Sequence, residues 1–218
     1  MMLPHFVCAT RCDTDSFKKT NLMKYFGTDA ELVHVSYENT TGLSEIYNRY
    51  LTNEYKDCYV VFLHDDISIE DAFFFSKIEQ AFKKFDIIGL AGAKNATLKS
   101  PILWHLLSEE SERSGAVGHY IPNSNIVFMS SYGPSPARCL LLDGLFLGVN
   151  VNKALEVDLK FDEQFKWHFY DIDLCLSANA KGLTMGTWPI WAVHGSLGTS
   201  CGSQEWKDNE KYFLDKWN

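Results

Sequence analysis

The apolar run Val60–Leu63 ends in His64, Asp65 and Asp66, within VVFLHDDIS. Adjacent carboxylates repel unless a donor or a cation holds them, and a neighbouring imidazole adds a nitrogen ligand. Carboxylate oxygens suit Mg²⁺ or Mn²⁺, whose coordination shells are usually completed by substrate phosphates. Asp66, with Asp65 or His64 beside it, is therefore a candidate metal-binding group. An acidic helix start explains the same residues, because Ser68, Glu70 and Asp71 follow and all suit a helix N-terminus.

A second pair of carboxylates lies in WHFYDIDL, residues 167–174. Asp171 and Asp173 are two apart at a helix start and cannot share a face. One serves a site while the other caps the helix or meets a buried partner; Asp171 is the candidate for chemistry. Trp167, Phe169 and Tyr170 could wall a ligand, and core packing explains them equally well.

The elements that must position these groups alternate. HFVCAT (5–10) reads as a strand, and residues 14–26 as a helix closed by Gly27. ELVHVSY (31–37) is a second strand, LSEIYNRYLTN a helix, and CYVVFLH (58–64) a strand covered on both faces. Residues 70–85 place Phe75, Ile78, Phe82 and Phe85 on one helical stripe, and IIGLAGA (87–93) is the next strand. Strand and helix in alternation imply a mostly parallel sheet with helical crossovers.

The second half is less regular. Short strands are expected at 116–121 and 125–130, and RCLLLDGLFLGVN (138–150) reads as strand broken at Asp143–Gly144. A helix over 171–182 stops at Gly182, a strand over 184–195 ends in His194, and 203–218 forms a helix docking Trp206, Phe213 and Trp217. The expectation is one α/β domain spanning 1–218: a first half (1–93), a second half (94–202) with a smaller β region, and a docking helix (203–218).

With 46% hydrophobic residues the 218-residue chain can bury a full core. Its 20 basic and 28 acidic residues give a net charge of −8, which disfavours nucleic acid as a partner. No apolar run reaches the roughly 18 residues of a membrane span. No basic, apolar leader opens the chain, so a cytoplasmic protein with free thiols at Cys8, Cys12, Cys58, Cys139, Cys175 and Cys201 is expected.

In open sheets ligands gather at the carboxyl ends of strands, where Thr10–Arg11, Glu38–Asn39 and His64–Asp66 all fall. The order of an acidic motif ending the third strand, a DG strand, a YDID helix start and a late strand-end histidine resembles the GT-A glycosyltransferases. Within these it is similar to the family-two-like domain named after a streptomycin-biosynthesis protein, over residues 5–200.

The resemblance implies that 1–93 is a nucleotide-binding half and 94–202 an acceptor half, with a nucleotide-sugar donor, such as a UDP-sugar, a carbohydrate or other hydroxyl acceptor, and Mn²⁺ or Mg²⁺ as cofactor. It assigns Thr10, Arg11, Glu38 and Asp65 to the nucleotide, and Asp66, His194 and His64 to the metal. Asp143, Gly144, Trp167 and Tyr170 fall on the acceptor or sugar side, and Asp171 is the base of an inverting transfer. HDD departs from the family's Asp-x-Asp, with His64 in place of the first aspartate, and Tyr170 stands where a glutamate is common. A metal-dependent phosphoesterase and a non-catalytic nucleotide-sugar-binding module are the competing readings.

Overall fold

The computed structural model describes residues 2–95, 103–121, 124, 126–195 and 202–217. Strand β1 (Leu3–Ala9) leads to helices α1 (Thr14–Phe17) and α2 (Asn21–Phe26), then β2 (Val33–Ser36) and α3 (Leu43–Asn48). Strands β3 (Cys58–Leu63) and β4 (Ile67–Ile69) precede α4 (Phe74–Phe82), β5 (Ile87–Gly89) and β6 (Ala91–Ala93). Next come α5 (Trp104–Leu107), β7 (Arg113–Tyr120), β8 (Val127–Gly133), β9 (Ala137–Arg138) and β10 (Leu141–Leu142). The chain closes with β11 (Phe146–Asn150), α6 (Val151–Glu156), α7 (Tyr170–Ala180), β12 (Met185–Thr187), β13 (Ala192–His194) and α8 (Gln204–Trp217).

Among the described residues these strands form two sheets. The larger runs β2-β1-β3-β11-β5-β12-β9; the smaller runs β10-β6-β7-β13-β4, with β8 added on β7. The expected parallel order holds for β2, β1 and β3. Strand β11 then inserts antiparallel between β3 and β5, so the central sheet is mixed.

Several stretches of chain pass from one sheet to the other, and four of them are short links that bear on the site or on the strand readings. They are His64–Asp66 between β3 and β4, Leu90 between β5 and β6, Asp143–Leu145 between β10 and β11, and Trp188–Trp191 between β12 and β13. The runs 87–93 and 184–195, each expected as one strand, are thus two. At Leu90 the carbonyl accepts from Ala116, and a Cβ on Gly115, at φ 97°, would lie 1.9 Å from that oxygen. Only glycine permits that approach. At the other break Pro189 has no N–H for a ladder.

Two helix readings also shift. Residues 14–26 form two helices, because Thr20 adopts extended backbone and its hydroxyl accepts from the Met23 amide as a new cap. Gly27 closes the second at φ 48°. In α4 the buried stripe is Phe74, Ile78, Ala81 and Phe82, and Phe75 is 37% exposed. The Asp71 carboxylate accepts from the Phe73 amide and from Lys77, fixing the helix start and hence the register.

Helix α8 docks as expected. Phe213 packs on Phe165 and Phe169, and Trp206 on Phe169. Burying each such ring contributes roughly 1.5–3 kcal/mol. The Asp173 carboxylate anchors the far end, accepting from Trp217 Nε1 at 2.8 Å and pairing with Lys216 at 2.7 Å. Cys8, Cys12, Cys58, Cys139 and Cys175 are free thiols, and Cys201 lies outside the described residues. No described helix is long and apolar enough to cross a membrane.

Candidate active site

The seam between the sheets carries the chemistry-bearing residues. Where β3 leaves the large sheet, the His64 amide donates to Leu145 and the chain turns through Asp65 and Asp66 into β4. Asp65 accepts from the Thr10 hydroxyl at 2.7 Å, which ties this turn to the end of β1. Thr10 is itself buried, and its Oγ1 also accepts from the Cys12 amide.

Strand β13 lies antiparallel beside β4 and brings His194 opposite Ile67. His194 Nε2 is 3.2 Å from Asp66 Oδ1. One ligating atom each from His64, Asp66 and His194 fall within 4.8 Å of one another. Two imidazoles and a carboxylate at that spacing fit a divalent transition metal. Burial lowers the His64 pKa, and proximity to His194 lowers it further, so the ring is neutral and able to ligate.

Helix α7 supplies the second group. Phe169, buried and in the left-handed region at φ 67°, immediately precedes it. A bulky residue there is strained, and such strain gathers at functional sites. Asp171 is half-buried and Asp173 fully buried. Asp171 Oδ2 accepts from the Gly144 amide at 2.8 Å, whereas Asp173 turns to α8. Burial first, then the nearby Asp143 carboxylate, pushes the Asp171 pKa up to about 7. Asp143 caps its own turn by accepting from the Leu145 amide.

Two adjoining clefts border these groups. One, of about 580 Å³, is lined by Arg11, Asn39, Asp65, Asp66 and residues Ser203 and Glu205 near the start of α8. The other, of about 300 Å³, is lined by Trp104, Tyr132, Asp143, Gly144, Asp171 and His194. His64, Trp167 and His168 border both.

The structure therefore brings most of the expected residues to one place. Trp167 lies under the Arg11 guanidinium, 5.9 Å from ring centroid to Cζ. Tyr170, almost fully buried, lines the smaller cleft, and its hydroxyl lies 3.0 Å from His64 Nε2. Glu38 is exposed with a left-handed backbone, and the adjacent Asn39 lines the larger cleft.

Sequence reasoning missed His105, His119 and His168. With His64 and His194 they put five of the seven histidines on the smaller cleft. Burial lowers the pKa values of His64, His105 and His168, so this cleft offers neutral hydrogen-bonding groups suited to hydroxyls. The signal for His119 was its pairing with His194 across β7 and β13, which only the register reveals.

Known structures share the fold. A crystal structure of A197 from STIV superposes with a TM-score of 0.50 at 10% identity, covering 86% of this chain and 82% of that one. A crystal structure of GalNAc-T7 with UDP, GalNAc and Mn²⁺ gives a TM-score of 0.56 at 12% identity. It covers 100% of this chain and 48% of that one, so the chain spans about half of GalNAc-T7. No curated protein matches the sequence. The mixed α/β domain is of the GT-A glycosyltransferase type, and the match over residues 16–217 places the chain in the glycosyltransferase-like family.

Proposed function

We propose that the protein transfers a sugar from a nucleoside-diphosphate donor, a UDP-sugar, to an acceptor hydroxyl, with inversion and with Mn²⁺ or Mg²⁺ bound. The observation that carries this reading is the pair of clefts meeting at His64, with the His64–Asp66–His194 cluster at the junction and Asp171 on the smaller cleft alone. UDP and Mn²⁺ in the fold-related GalNAc-T7 agree with it.

The larger cleft receives the nucleotide, where Arg11 supplies positive charge and Asn39 and Asp65 supply polar contacts. His64, Asp66 and His194 hold the cation. Its contribution when bound is Lewis-acid stabilisation of the charge on the departing diphosphate.

The acceptor enters the smaller cleft beside Asp171. As the acceptor oxygen bonds to the anomeric carbon, the bond from that carbon to the phosphate oxygen breaks, and the acceptor proton passes to Asp171. A carboxylate titrating at about 7 suits that task, since a base works best with a pKa near the operating pH. A single displacement of this kind inverts the anomeric centre.

The test is donor binding and turnover across a panel of nucleotide-sugars. Uridine diphosphate is expected to bind more tightly with Mn²⁺, and Asp66→Ala to abolish that gain while leaving the fold intact. Unchanged metal dependence in Asp66→Ala, or a product with the donor's anomeric configuration, overturns the proposal.

A further inference from the structure

Tyr170 is buried, and its hydroxyl has two partners: the Gly144 carbonyl oxygen at 3.2 Å and His64 Nε2 at 3.0 Å. A phenol carries one proton. Given to the buried Gly144 carbonyl, that proton leaves a lone pair of the tyrosine oxygen facing His64 Nε2, which must then carry the ring N–H. The lone pair of the neutral imidazole is left on Nδ1. Turning the hydroxyl proton to His64 instead would take this donor from a buried carbonyl, which is costly.

We infer that Tyr170 is a positioning residue for the cation site: it fixes His64 as the Nε2–H tautomer, with Nδ1 as metal ligand, and so selects Mn²⁺ over Mg²⁺. The inference rests on the assignment of His64, Asp66 and His194 to a cation.

The selectivity follows from the ligand atoms. Mg²⁺ is small and hard, favours oxygen ligands and keeps its waters, whereas imidazole nitrogen suits the transition metals. His64 and His194 give two nitrogens against one carboxylate. The residue at position 64 is where the resemblance to Asp-x-Asp breaks, so that difference becomes a specificity determinant. Hydrogen bonds to the second ring nitrogen of a ligating histidine fix its tautomer and orientation, and losing one typically costs about 10–100-fold in metal affinity.

Gly144, whose carbonyl accepts from Tyr170, also donates its own N–H to Asp171. Metal ligand and proposed base are thereby referred to one residue at the seam. That arrangement explains why a tyrosine is useful at the start of α7: phenylalanine fills the space but cannot orient the imidazole.

Titration calorimetry with Mn²⁺ alone and Mg²⁺ alone, and long-range ¹H–¹⁵N spectra of the metal-free protein, test this directly. The His64 resonance, assigned by its loss in His64→Gln, is expected to report Nε2–H. In Tyr170→Phe that preference should fade and Mn²⁺ affinity should fall by about 10–100-fold. Mn²⁺ should bind wild type at least about tenfold more tightly than Mg²⁺, and His64→Asp should narrow or reverse that ratio.

An Nδ1–H tautomer in the wild type, equal affinity for the two ions, or undiminished Mn²⁺ affinity in a folded Tyr170→Phe protein overturns the inference. Should Tyr170→Phe not fold, the wild-type spectrum and His64→Asp still decide it. None of these measurements uses donor or acceptor. A protein that passes them but transfers no sugar refutes only the transfer reading; one that transfers sugar equally well with either ion, without the Nε2–H form, refutes only this one.

Discussion

The amide of Gly144 donates to Asp171 Oδ2 at 2.8 Å, across the point where the chain crosses from β10 in one sheet to β11 in the other. A Cβ at position 144 would lie 2.5 Å from Tyr170 Oη and 3.0 Å from Asp171 Cβ. Glycine is required there by close approach to both side chains, and the sequence break at Asp143–Gly144 has this physical meaning.

Gly144→Ala is therefore expected to displace Tyr170 and loosen Asp171. Overpacking of this kind costs about 1–3 kcal/mol, read by denaturant unfolding. Turnover should fall by more than the folded fraction does, because a small misplacement of a reacting group can cost about a hundredfold. Wild-type turnover in a folded Gly144→Ala protein would show that the seam does not position the base.

Asp173 provides the contrast. Its carboxylate is buried and holds the end of α8 through Lys216 and Trp217, while Lys216 also pairs with Asp162. Asp173→Ala should destabilise the fold by about 1–3 kcal/mol, less than a fully isolated buried pair, because Lys216 keeps Asp162. Turnover per folded molecule should stay within a few-fold of wild type. A collapse of activity without loss of stability would move Asp173 into the site.

Much of this arrangement was legible in the chain. Strand-end polar groups picked out Thr10, Arg11, His64, Asp65 and Asp66, and the DG break marked the β10–β11 crossing. The second sheet was legible only in part: β7 and β8 fall where short strands are expected, at 116–121 and 125–130. Its β6 and β13 share mostly apolar runs with β5 and β12 of the large sheet, β4 is three residues long, and periodicity reports burial without saying which sheet a residue joins. His119 falls in an expected strand, yet its approach to the site depends on the pairing of β7 with β13, and His105 lies in α5, in a stretch without clear helix or strand period. Asn39 rather than Glu38 lines the cleft because the left-handed turn at Glu38 changes which side chain is presented.

Outside the site, His5 Nδ1 and His34 Nε2 lie 2.9 Å apart, with Tyr50 and Tyr55 against the His34 ring and Glu54 nearby. Burial lowers both histidine pKa values, and His5 lowers that of His34 further, against a smaller opposing effect of Glu54. A depressed histidine pKa leaves its stability contribution in place above the unfolded value and removes it as pH falls through the folded one. Unfolding free energy should therefore drop on acidification below about 6.5, by up to about 1.4 kcal/mol per pH unit for each proton involved. His34→Gln should flatten that slope by up to one proton, as measured by denaturant unfolding across pH. An unchanged slope would assign the acid sensitivity to the buried histidines of the small cleft instead.

Asp171 gives the opposite sign. Its folded pKa, about 7, lies above the ordinary carboxylate value of 3.8. Below the unfolded value the group is protonated in both states and costs nothing; as pH rises through the folded value, the buried carboxyl must ionise and that advantage is lost. Asp171→Asn cannot ionise and can still accept from the Gly144 amide. Its stability relative to wild type should therefore grow from about pH 4 to about pH 8, by about 2–4 kcal/mol after allowance for partial solvent access. The same substitution removes the proton acceptor, so turnover should fall by about a hundredfold to ten-thousandfold, with donor binding nearly unchanged. In the wild type, kcat/KM should rise with pH and level off above about 7, and the residual rate of Asp171→Asn should lack that step. A variant that is less stable than wild type at about pH 8, yet transfers sugar at the normal rate, would falsify both the raised pKa and the role of Asp171 as the base.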